Sequence, residues 1–189
     1  MYRFIHQSLI VSVLILTSPL VISAPGNSCP DGLAENLSKE FGPGVAEKTQ
    51  CVKEKKDIKV VMQVNQYCGK KVDGKCIAPH GFRTIPAMIK NYTITNGIPR
   101  DQVDIVMVVH GGGGKILLKG SQFETQVRFA LDNGVKVYFC QETLRSFIKK
   151  GLIPAGKASE SLIEGVEYVT GGLLAVVDFQ KQGYKYIQP

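Results

Sequence analysis

From residue 57 onward, apolar runs with the two-residue rhythm of strands alternate with segments of helical spacing, and that alternation limits the possible folds more than any other feature of the chain. Residues 57–65, Asp-Ile-Lys-Val-Val-Met-Gln-Val-Asn, read as a strand, and 82–92 have helical spacing with Pro86 at a late first-turn position or a kink. The run 103–109 is the most strand-like of all and is followed by His110 and the glycines 111 to 114. Residues 123–134 put Phe123, Val127, Ala130 and Leu131 on one helical face and stop at Asn133-Gly134. A strand over 135–140 leads to a helix near 143–150. A polar turn with a short helix at 158–164, a short strand at 166–169, a helix over 173–183 and a last strand at 184–187 complete the series. Strands alternating with helices in this way predict an α/β domain over 57–189, with a mainly parallel five-stranded sheet covered by helices on both faces. Right-handed crossovers then bring every strand's carboxyl end to one edge. The 68–76 loop, His110 with its glycines, and Cys140 share that edge, where ligands of open α/β sheets bind.

The start of the chain has a different character. Arg3, an apolar stretch over 9–16 and small residues near Ser23 read as a signal peptide spanning 1–23, cut after Ser23, with an uncleaved amino-terminal anchor as the alternative. The mature chain is expected to be soluble, without a stable membrane span, in the periplasm or otherwise exported. Residues 24–56 are rich in Gly, Pro, Lys and Glu, carry Cys29 and Cys51, and read as an extension pinned to the domain, with a short helix possible between Asp31 and Phe41. The formal charge of +7 is scattered rather than clustered, which argues against nucleic acid and for weak attraction of small anions or acidic protein partners.

Five cysteines make an odd number. In an oxidising compartment Cys68 and Cys76 are expected to form a local disulfide, which leaves Cys29 to pair with Cys51, although four cysteines allow three connectivities. Two other readings of the loop are exchange of its disulfide with Cys140, and a zinc site of Cys68, Cys76 and His80. That spacing matches no common zinc pattern and lacks a fourth ligand. No metal is therefore assigned.

Cys140 ends an apolar strand and precedes a helix, a position that favours the nucleophilic thiolate; Arg145 adds to this effect and Glu142 opposes it. The plainer reading is a small buried hydrophobe. Gly111, Gly112, Gly113 and Gly114 could turn backbone N–H groups towards an anion, or form a turn that permits close subunit packing. Lys115 follows them, but Val109 stands where a phosphate loop needs its first glycine and Ile116 replaces Ser or Thr. No nucleotide or other cofactor is implied. His110 could protonate or hold a sulfur oxyanion, or serve as a structural hydrogen bonder.

The segments Val-Val-His-Gly-Gly-Gly-Gly-Lys-Ile-Leu-Leu-Lys (108–119), Asn-Gly-Val-Lys-Val-Tyr-Phe-Cys-Gln-Glu-Thr-Leu (133–144) and Gln-Lys-Gln-Gly-Tyr-Lys-Tyr-Ile-Gln-Pro (180–189) resemble the DsrE/DsrF-like proteins of sulfur relay. The resemblance is strong over 108–189 and extends weakly back to residue 57. It implies a flavodoxin-like layout, assembly into a homo-oligomer, and sulfur carried as a persulfide on Cys140, with His110 and the glycines orienting the donor. The partners implied are a sulfur-containing small molecule or a protein thiol. The signal segment, the cysteine-bearing extension and the 68–76 loop depart from the family's pattern. A binding or assembly module of the same fold is the alternative; a thiol-disulfide oxidoreductase is disfavoured because no Cys-x-x-Cys occurs.

Overall fold

The computed structural model describes residue 30, residues 32–53 and residues 56–189. The expected signal segment 1–23 and Cys29 lie outside the described residues. In chain order the helices are α1 (Leu33–Phe41), α2 (Val45–Lys48), α3 (Ile85–Lys90), α4 (Glu124–Asp132), α5 (Gln141–Lys149), α6 (Ala158–Ser161) and α7 (Gly172–Lys181). The strands are β1 (Ile58–Val64), β2 (Cys68–Val72), β3 (Lys75–Pro79), β4 (Val103–Val109), β5 (Lys136–Cys140), β6 (Glu167–Val169) and β7 (Lys185–Ile187). Five of them form one parallel sheet in the order β6-β5-β4-β1-β7. The fold is therefore α/β, with the flavodoxin-like layering of a parallel sheet between helices.

The period of two along each strand divides the core. Val60, Met62 and Val64 of β1, Ile105, Met107 and Val109 of β4, and Val137 and Phe139 of β5 point to one face, where Ile85 of α3, Val127 of α4 and Phe147 of α5 join them in the larger cluster. The alternate residues Val61, Val106 and Val108 point to the other face and pack with Val176 of α7 and with Tyr184. Tyr138 and Tyr184 flank the Phe179 ring, with centroids 5.6 and 5.2 Å away. The Tyr184 hydroxyl also donates to Asp104 at 2.5 Å, anchoring the end of α7 to β4.

Chain direction reverses once. From β1 through β6 each connection steps the same way across the sheet; the connection from β6 runs back over the opposite face as α7 and lays β7 beyond β1. The loops leaving the neighbours β5 and β6 thus go to opposite faces. The crevice between them is the topological switch point, and Cys140 is the last residue of β5.

The segment 68–76, read from sequence as a loop, lies instead within an antiparallel hairpin of β2 and β3 that runs on to Pro79. Its turn is Asp73-Gly74, both at positive φ (49° and 77°), the pairing that a two-residue hairpin of matching twist demands. The extension carries α1 and α2, and its Val52 N–H donates to Asn96 Oδ1 at 3.1 Å, a tie to the domain. Among the described residues no helix is long and apolar enough to cross a membrane.

Candidate functional site at the carboxyl edge of the sheet

Cys140 is the free cysteine among the described residues, and it is only 4 % exposed. It stands in the N-cap position of α5, but its sulfur makes no capping bond to that helix. The sulfur instead accepts the backbone N–H of Gly172 at 3.2 Å. Gly172 is the first residue of α7, and N–H groups in a first helical turn have no partner within their own helix, so a sulfur there answers an open donor. α5 does begin directly after Cys140, as expected, but the hydrogen bond to the sulfur comes from a helix on the opposite face, brought over by the reversal after β6.

His110 shares that face. Val108 lies opposite Tyr138 and Val109 opposite Phe139, which brings His110 level with Cys140. A Cβ added at Gly172 would lie 3.0 Å from His110 Cβ and 3.1 Å from Cγ, so the absent side chain of Gly172 lets α7 rest against the imidazole while its N–H reaches Cys140. Gln63 Nε2 approaches His110 Nε2 at 2.7 Å, and the Tyr186 hydroxyl donates to Gln63 Oε1 at 2.7 Å. With its oxygen engaged, the Gln63 amide donates, so His110 Nε2 accepts and the ring is neutral. Burial acts in the same direction, holding His110 below its ordinary pKa.

The four glycines do not act as one unit. They begin a 3-10 helix over Gly111–Leu117. A Cβ on Gly113 would lie 2.5 Å from the Val64 carbonyl oxygen, and one on Gly114 would lie 2.6 Å from the Phe139 ring, so these two are where backbone meets core. Gly111 and Gly112 stay at the surface beside a groove of about 500 Å³, and the Gly111 N–H donates to Thr143 Oγ1 at 2.8 Å.

Cys68 and Cys76 form the expected disulfide within the hairpin, so neither sulfur is free to bind a metal. Cys51 is also disulfide-bonded, and Cys29 lies outside the described residues. The Cys76 carbonyl accepts from Gln122 ahead of α4, whereas Cys140 bonds at α7, so the two sulfur positions rest on different neighbours. His80, grouped from sequence with the hairpin cysteines, is buried, with Nδ1 unpartnered. Burial lowers its pKa, the Pro189 carbonyl opposes this, and Arg83 adds to the lowering.

Gln63, Gly172 and Tyr186 escaped the reading from sequence. Gln63 sits inside a strand and Tyr186 near the end of the chain. Only the alternation in β1, which puts Gln63 on the sparsely covered face with Val61, signalled one of them. No family model and no curated protein matches the chain. Among solved structures, a protein of unknown function from Methanobacterium thermoautotrophicum is similar at 24% identity and a TM-score of 0.48, over 70% of this chain and 100% of that one.

Proposed function

We propose that this chain is an exported DsrE-like protein that accepts and passes on sulfane sulfur at Cys140. One observation carries the reading: the free thiol among the described residues lies at the switch point, accepts the Gly172 N–H at 3.2 Å, and is level with a neutral His110. The Cys140 thiolate attacks the outer sulfur of a donor R–S–SH, forming Cys140–S–SH and releasing R–S⁻. A partner thiolate then takes that outer sulfur and regenerates the Cys140 thiolate. The Gly172 N–H stabilises the negative sulfur, and His110 orients the donor. Because Cys140 is so little exposed, loading requires the first turn of α7 to give way.

The test is mass spectrometry after exposure to polysulfide. A mass gain of one sulfur, located on Cys140 and absent from Cys140→Ser, is the expected result. A Cys140 that gains no sulfur, and is alkylated only after denaturation, overturns the proposal.

A second reading, a binding or assembly module without sulfur chemistry, is favoured by the apolar start of α7. Leu173, Leu174 and Val177 are 63%, 74% and 49% exposed, directly beyond Gly172. A homo-oligomer that covers them would also close over Cys140. Both readings place a partner at this helix; only the first requires the mass gain.

A further inference from the structure

The groove beside Gly111 and Gly112 lies on the opposite side of the sheet from Cys140 and α7. It runs along α5, beside the 3-10 helix that begins at Gly111, and holds about 500 Å³, within the range of small-molecule sites. Thr143, Ser146 and Lys150 recur at three- and four-residue spacing and form one wall; Gly112 and Lys115 form the other.

What distinguishes the groove is an excess of donors without acceptors. Among the described residues neither Lys115 nor Lys150 forms an ion pair. The Gly112 N–H makes no hydrogen bond there, and neither does the Ser146 hydroxyl. Thr143 Oγ1 already accepts from Gly111, which leaves its proton to donate outward. Glu142 is the acid in the lining, and Arg145 holds it in an ion pair. The local balance is therefore positive, with two charged donors and three neutral ones around one space.

We infer that this groove binds a tetrahedral oxyanion of the phosphate or sulfate type, free or as the end group of a larger molecule. Such an anion offers several acceptor oxygens and takes charged donors from Lys115 and Lys150 together with the neutral donors of Gly112, Thr143 and Ser146. The volume exceeds that of a bare oxyanion, and Phe147 and Leu152 give the remainder apolar surface on which an organic body can rest. The inference does not depend on the thiol chemistry of Cys140.

The test is an amide NMR titration of the purified protein with inorganic phosphate, inorganic sulfate and phenyl phosphate, each against chloride at matched ionic strength. Saturable shifts at Gly112, Thr143 and Ser146 are expected, together with a loss of affinity of at least about tenfold in the Lys115→Ala, Lys150→Ala double variant. Ser146→Ala should weaken binding by less, and Cys140→Ser should leave it unchanged. Tighter binding of phenyl phosphate than of the inorganic ions identifies an end group of a larger molecule; equal binding identifies a free anion. Shifts reproduced by chloride, or an affinity untouched in the double lysine variant, overturn the inference.

Discussion

The contact on which the candidate site turns is one missing side chain. Gly172 approaches His110 and Cys140 together because nothing projects from its Cα. Gly172→Ala should therefore push the His110 ring aside, at a cost of about 1–3 kcal/mol, the usual range for overpacking, and should move the His110 ring resonances while the rest of the spectrum stays in place. Gly113 and Gly112 make a sharper pair. Alanine at 113 would put its Cβ 2.5 Å from a backbone oxygen that cannot swing away, whereas at 112 the nearest atom, the Asn65 carbonyl oxygen, is 3.4 Å distant. Urea denaturation should show a loss of roughly 1–3 kcal/mol for Gly113→Ala and a change within about 0.5 kcal/mol for Gly112→Ala. Equal effects would mean that the run is held by backbone conformation rather than by close approach.

Among the elements, the β2–β3 hairpin stands outside the five-stranded sheet and is closed by a disulfide spanning eight residues of sequence. Loop-closure entropy assigns such a cross-link about 2.5 kcal/mol. Replacing Cys68 and Cys76 together by Ser should lower the unfolding free energy by about that amount and leave the far-ultraviolet signature of the parallel sheet unchanged. A loss confined to local protease sensitivity around residue 73, with global stability intact, would show that the hairpin unfolds on its own. The α7 helix behaves differently, because one of its sides is packed on Val61, Val106 and Val108 while Leu173 and Leu174 face outward. If those leucines bind a second copy, Leu174→Asp should convert an oligomer to a monomer in light scattering without loss of helix content.

The whole molecule couples to pH through one buried imidazole, His80, and one half-buried imidazole, His110. His80 and His110 both have a lowered pKa in the folded state, chiefly because burial penalises the charged ring. Below the ordinary histidine value of about 6.5 the unfolded chain takes up protons that the folded one refuses. Stability should therefore fall as pH drops below about 6.5, and the slope should end once the folded rings also protonate. Urea midpoints measured between pH 7 and pH 5 test this, and His110→Gln should flatten the slope. Asp104 titrates lower still, because bonds from Tyr184 and Lys136 outweigh its burial, so its contribution is lost only at more acid pH. Alkylation of the native protein without reductant should label at most one cysteine per chain, and three labelled sites would refute pairing of the other four.

The alternation of periods along the sequence determined the elements and the class of fold, since a period of two or of 3.6 records which side chains must leave water and is written in neighbouring residues. The strand over 103–109 agrees with β4 residue for residue, and the turn at Asn133-Gly134 follows α4 directly. Cys140 at the end of a strand was equally legible. The β2–β3 hairpin was missed among lysines and glycines, although Asp73-Gly74 carried its signal. Which helix serves Cys140 was decided only in three dimensions. The sequence places α5 next to the thiol, but a residue's side chain faces one side of the sheet, and after β6 the chain returns over that side to set Gly172, 32 residues away, against the sulfur. The same reversal adds Tyr186 of β7 to Gln63 and His110, which the pairing of β1 with β4 already brings together, because strand order, unlike strand identity, is fixed by packing between segments that the sequence keeps apart.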